Sequence, residues 1–201
     1  MKKLPPINVY DHKKRLSKAL KRQLHILEQS KQNDERRSDF YISIGWLYDQ
    51  SALKSSGKRH FFQFKAIQFF KKAARSKNKD VKFQGLRGLG TVLLHQNKLS
   101  SALNFYKKAY ALKKNFHICN DLGNIYQKLG KHSKALKFYK KALVDIKNKQ
   151  GGEMMAIPLF NLIKLNKKMS KTSNNKKYFD LLKKISRNSQ FTRQLIKKLE
   201  I

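Results

Sequence analysis

Residue types that do chemistry are sparse in this sequence, and their spacing assembles no reaction centre. Six histidines occur in 201 residues without an HxxxH pair, and the twelve Asp and Glu are scattered. No metal-ligand cluster and no paired general acid and base emerge from them. Cys119 is the single cysteine, which excludes an intramolecular disulfide and a CxxC zinc or redox site. It falls on an apolar helical stripe and is expected in the core rather than as a nucleophile. Gly85, Gly88 and Gly90 run GxxGxG, the reverse of the dinucleotide fingerprint, with no strand before them. Neither a GxxxxGK[ST] loop nor a GxSxG turn occurs. These patterns point away from an enzyme, and no cofactor is expected.

What the sequence offers instead is cationic binding chemistry. Lys and Arg number 47 against 12 Asp and Glu, a net charge of +35. A lysine-favouring genome should favour Glu equally, yet only Glu28, Glu35, Glu153 and Glu200 occur. Such a charge repels itself, and a polyanionic partner is the simplest compensation. The lysines also recur in register. Lys71-Lys72, Lys107-Lys108 and Lys140-Lys141 each precede a small residue, Ala73, Ala109 and Ala142. Lys65, Lys134 and Lys137 extend these faces, and Lys176, Lys177, Lys183 and Lys184 supply a looser fourth set around Asp180 and Leu181. Lysine is a point charge suited to phosphate, and each phosphate neutralised releases counterions. Nine arginines among the 47 basic residues give little material for bidentate base reading. A shape- and charge-based contact with structured RNA or a ribonucleoprotein, such as a ribosome surface, is expected.

Helices must position these lysines. Cys119, Leu122, Ile125, Tyr126 and Leu129 lie three and four apart and give one helix an apolar stripe. Gly130 should end it in a left-handed conformation. Ala135, Phe138, Tyr139, Ala142, Leu143 and Ile146 make a second stripe, with the lysines on the other side. Gly123 and Ala135 are small where two antiparallel helices would approach closely. Gly90, Ala102, Tyr106 and Ala109 each precede a counterpart by 33 residues. Earlier, Tyr41, Ile44, Gly45 and Tyr48, then Ala66, Phe70 and Ala73, form a further copy. Nine extra residues in or near QSALKSSGKRH are expected as a surface loop or extended helix ends. At an offset of 40, Leu162, Leu165, Met169, Tyr178 and Phe179 mark a degraded fourth copy. In GLRGLG, Gly85 or Gly88 should reflect close packing or a helix start, since each glycine in a helix interior costs about 1 kcal/mol against Ala.

The flanks are simpler. Residues 1–10 read as an irregular lead and 11–30 as a basic amphipathic helix with Asp11 as N-cap and Leu16, Leu20, Leu24 and Leu27 as its stripe. It is expected to pack on the first copy, with attachment to an anionic membrane surface as the alternative. Residues 31–37 read as a linker. Lys149–Gly152 should form the longer connection, with Pro158 in the opening turn of the next helix. Phe191, Leu195, Ile196 and Leu199 mark a last helix. No run reaches the roughly 18 apolar residues of a transmembrane span. The start, MKKLPPINVYDHKK, lacks a signal's apolar core, so a cytoplasmic protein is expected.

The pattern Cys119, Leu122, Gly123, Tyr126, Ala135, Tyr139 resembles the tetratricopeptide repeat, W-x2-L-G-x2-Y followed by A-x3-F. The resemblance implies an all-α, right-handed α-solenoid of about four helical hairpins with a flanking helix at each end. Its repeats fall at about 38–77, 83–115, 116–149 and 156–189, between a segment 1–37 and a capping helix 190–201. Members of the family line a concave groove with first helices. Carried over, the groove residues are Trp46, Asp49, Arg87, Thr91, Asn120, Asn124, Gln127, Asn161 and Lys164. Some members clamp a terminal carboxylate there. Asn124 and Asn161 match the clamp's asparagines, but Asn120 replaces its first lysine, so another extended peptide or protein is the expected groove ligand. An adaptor holding a protein in the groove and RNA on its lysine faces is therefore expected. The alternative is a protein-binding scaffold whose charge serves an acidic protein or solubility.

Overall fold

A computed structural model describes residues 9–29, 34–55, 57–147, 152–169, 175–187 and 189–200. Among them are ten α-helices, one 3-10 turn and no strand. The chain divides into two units, Met1–Leu112 and Lys113–Ile201. The first holds α1 (Val9–Gln29), α2 (Asp34–Lys54), α3 (Arg59–Ala74), α4 (Lys79–His95) and α5 (Leu99–Leu112). The second holds α6 (Phe116–Lys128), α7 (His132–Lys147), the turn Gly152–Met155, α8 (Ala156–Lys168), α9 (Asn175–Ser186) and α10 (Gln190–Glu200). The hairpins are α2–α3 and α4–α5 in the first unit and α6–α7 and α8–α9 in the second. Helix α1 packs on α2, and α10 packs on α8 and α9.

In the first unit, Ile44, Tyr48, Ala66, Phe70, Leu89 and Val92 form the buried centre. Burying a side chain such as Phe70 contributes roughly 2 kcal/mol. Leu20, Leu24 and Leu27 of α1 lie against this core, as the periodicity of that helix predicts. Its bounds need correction. The helix begins at Val9, so Asp11 stands in its first turn and is not the N-cap, and Val9 and Tyr10 are not part of an irregular lead. Asp34 to Arg37 likewise belong to α2 rather than to a linker. Residues 1–8 and 30–33 of those two stretches, and the side chain of Leu16, lie outside the described residues. The nine extra residues are taken up mostly by helix, since α2 runs to Lys54 and α3 starts at Arg59.

The glycines are set by close approach. A Cβ on Gly88 would stand 2.4 Å from the Phe70 ring, and one on Gly45 would meet the same ring at 2.7 Å. One on Gly85 would lie 2.4 Å from the backbone nitrogen of Ala74. The lost helix propensity in GLRGLG is therefore the cost of seating α4 tightly on α3.

The second unit buries Ile118, Cys119, Leu122, Ile125, Ala135, Tyr139 and Ala142 between α6 and α7. A second cluster, Ala156, Leu159, Ile163, Leu182 and Leu199, joins α8 to α9 and α10. Gly130 takes the expected left-handed conformation, φ 71°. Asn97, 33 positions earlier, takes the same conformation at φ 60°. Asn115 caps α6 by accepting from Ile118 N–H at 3.2 Å, and Asp145 of α7 accepts from Phe116 N–H at 2.8 Å. Pro158 is the third residue of α8, where its missing N–H costs nothing. Phe191 departs from expectation: it is 44% exposed, so α10 covers the last hairpin with Leu195, Ile196 and Leu199 instead. Ser189 closes that end by donating its hydroxyl to Glu153.

Candidate functional site

The outer faces of the second helices carry the lysines. In the first unit Lys71, Lys72, Lys107 and Lys108 are exposed. In the second, Lys134, Lys137, Lys140 and Lys141 of α7 and Lys176, Lys177, Lys183 and Lys184 of α9 are exposed. Lys65 differs: it is half-buried, with Nζ 5.7 Å from the Phe61 ring centroid. The second lysine of each pair rests on a ring one turn before it. Lys72 Nζ lies 5.6 Å from the centroid of Phe69, Lys108 Nζ 5.6 Å from Phe105, and Lys141 Nζ 5.4 Å from Phe138. Lys183 repeats the contact over Phe179 at 4.8 Å. The stem covers the ring while the ammonium stays in water, and the ring's quadrupole holds the charge in place.

These aromatic seats were legible in the sequence and were missed. The tetrapeptides Phe69-Phe70-Lys71-Lys72, Phe105-Tyr106-Lys107-Lys108 and Phe138-Tyr139-Lys140-Lys141 share one pattern. The second aromatic enters the core, and the first, half-buried, carries the second lysine. Phe138 is thus not simply a core residue. Its ring also stacks on Tyr126, with centroids 5.4 Å apart.

The residues assigned to the groove form two separate sets. In the first unit the Arg87 guanidinium lies 5.5 Å over the Trp46 ring, and Trp46 meets Phe70 edge-on at 5.0 Å. Thr91 donates its hydroxyl to the Arg87 carbonyl at 3.1 Å, so Tyr106, 3.1 Å from Thr91 Oγ1, supplies the proton between the two hydroxyls. Asp49 requires correction: only 3% exposed, it is paired with His95 Nδ1 at 3.0 Å and ties α2 to α4 instead of lining a groove. Burying the carboxylate would be costly without that partner.

In the second unit Asn120, Asn124, Gln127 and Asn161 come together in one network. Asn161 Nδ2 donates to Asn120 Oδ1 at 3.1 Å and to Asn124 Oδ1 at 3.2 Å. The Tyr139 hydroxyl donates toward Asn124 Oδ1 at 2.8 Å and Gln127 Oε1 at 2.7 Å, its one proton shared between them. Burial pushes the Tyr139 phenol up, so it remains a donor at any ordinary pH. These bonds engage the oxygens of Asn120, Asn124 and Gln127. Their NH2 groups are the chemistry the face can offer, as donors to carbonyl or carboxylate oxygen. Lys164 stands exposed on α8. Cys119 is buried, and burial pushes its thiol up to about 11, against a lowering by Lys141.

Sequence reasoning also missed a polar join in the first unit. Gln96 Nε2 donates to buried Gln63 Oε1 at 3.4 Å. With Asp49 and His95, this fixes both helices of the first hairpin to the end of α4. Among the described residues, no three His, Cys, Asp or Glu are grouped to hold a metal ion. Likewise, no helix there is long and apolar enough to cross a membrane.

Residues 118–144, from α6 into α7, match the tetratricopeptide repeat family. Among solved structures the chain is similar to BtubC (BKLC) from P. vanneervenii, with a TM-score of 0.66 at 14% identity over 96% of this chain and 84% of that one. It is similar to MamA, TM-score 0.58 at 18% identity, over 90% and 96% of the two chains. PilF of Pseudomonas aeruginosa gives 0.53 at 16% identity over 94% and 97%. At these identities the likeness is one of fold. No curated protein matches the sequence.

Proposed function

We propose that this chain, of tetratricopeptide-repeat fold with a matching repeat at residues 118–144, is a non-catalytic adaptor. Its first-helix faces hold a protein segment, and its second-helix lysines dock on a polyanion, RNA or a ribonucleoprotein such as the ribosome. The carrying observation is that Lys71, Lys72, Lys107, Lys108, Lys140 and Lys141 all project into solvent, while Lys72, Lys108 and Lys141 are steadied on aromatic rings. A steadied ammonium loses less side-chain freedom on binding, which favours affinity over a mere solvated face. The amide network of Asn120, Asn124, Gln127 and Asn161 supports the protein-binding half, because its NH2 groups suit backbone carbonyls.

Charge reversal tests the proposal. Replacing those six lysines by Glu should abolish retention of a structured RNA hairpin at low salt while leaving the far-ultraviolet helical signal unchanged. RNA retention equal to the original chain in a folded variant would overturn the polyanion half. A protein ligand bound on the first-helix faces should survive the same substitutions.

A further inference from the structure

Helices α1 and α2 enclose an open groove of about 630 Å3 within the first unit. Its lining includes Lys18, Arg22, Gln23 and Ile26 from α1 and Trp46 and Leu47 from α2. Lys18 and Arg22 are exposed, whereas Gln23, Ile26, Trp46 and Leu47 are half-buried. Apolar surface thus forms the floor and cations stand at the rim, with Arg87 adding its charge over the Trp46 ring. The described lining residues include no carboxylate to neutralise them.

We propose that this groove binds an acidic peptide segment that seats one large apolar side chain between Trp46, Leu47 and Ile26. Carboxylates on either side of that anchor meet Lys18 and Arg22. The volume suits one or two side chains and their backbone. The aliphatic part of the floor, Leu47 and Ile26, favours an apolar peptide side chain over a nucleobase, whose polar edge it would leave unpaired. Trp46, a large, partly covered aromatic beside cations, is the energetic centre of the site. The site rests on the protein-binding half of the adaptor reading and is separate from the second-helix lysines.

Trp46 is the single tryptophan of the chain, so its emission reports on this groove directly. The probe is an acetylated decapeptide of Asp and Glu with a central Leu-Phe pair. Controls are the same peptide with Ala-Ala at the centre, the same with Lys for every acid, and a ten-nucleotide oligouridylate. The expected result is a saturable Trp46 shift with the first peptide, at least tenfold weaker with the Ala-Ala peptide and absent with the Lys peptide. Lys18→Glu with Arg22→Glu should weaken binding at least tenfold. Lys18→Ala with Arg22→Ala should weaken it severalfold and serves if the reversal does not fold. Lys107→Glu with Lys108→Glu should leave it within twofold. A silent Trp46, equal binding of the Ala-Ala peptide, indifference to both α1 double variants, or tighter binding of oligouridylate would each overturn the proposal. Loss of RNA retention as a property of the chain, with the peptide shift intact, would instead count against the polyanion half alone.

Discussion

Gly123 lies so close to the ring of Tyr139 that a Cβ added to it would stand 2.4 Å from both Cδ1 and Cε1. Tyr139 has little room to yield, being fully buried and bonded through its hydroxyl to Asn124 and Gln127. The contact joins the packing of the α6–α7 hairpin to the polar network on its first-helix face. Gly90 meets Tyr106 in the same way, at 2.6 Å, 33 positions earlier.

Gly123→Ala should therefore destabilise the protein by about 1–3 kcal/mol, the range for overpacking a close-packed core, despite alanine's better helix propensity. Gly57→Ala, where an added Cβ meets nothing within 4 Å, is the matched control and should be near neutral. Urea midpoints of the two variants decide the matter; equal midpoints would refute the close-packing account.

Asn97 occupies the left-handed turn after α4 that Gly130 occupies after α6. Asn tolerates that conformation, Gly adopts it freely, and a β-branched residue pays roughly 1–2 kcal/mol. Asn97→Gly should leave the thermal midpoint unchanged or slightly raised, and Asn97→Val should lower it by several degrees, on the order of 1 kcal/mol.

Cys119 should resist a thiol reagent at pH 8 until the chain is unfolded, because its folded-state thiol ionises near 11 rather than 9.0. Stability follows with a definite sign. Between 9.0 and about 11 the unfolded chain sheds the Cys119 proton before the folded one does, so rising pH favours unfolding in that window. Cys119→Ser removes this contribution, and the slope of stability against pH there should become shallower. Fast native labelling at pH 8 would contradict the buried placement.

The hairpins were legible because their stripes recur three and four apart and because small residues recur at fixed offsets. Tyr41, Gly45, Ala66 and Phe70 predict the first hairpin from their spacing alone. Helix ends were less legible. Asp11 is a cap by type, yet α1 begins at Val9, and α2 begins at Asp34 inside the stretch that reads as a linker, since Asp favours a first helical turn as well as a cap. Asp49 was misassigned because groove position follows from register alone, whereas its burial depends on His95, 46 residues away. The aromatic seats under Lys72, Lys108 and Lys141 were written in the repeated tetrapeptide. At Phe138 and Tyr139 the two rings fall on one apolar stripe, so periodicity alone does not separate the seat from the core ring.

Salt titration of RNA binding tests the central claim most directly. The probe is a labelled structured RNA hairpin, and affinity is followed from 50 to 200 mM monovalent salt. If the lysine faces dock on polyanion, log affinity falls linearly with log salt, by about a thousandfold for six phosphate contacts. Absence of binding at 50 mM, or an affinity that salt does not change, would contradict the account.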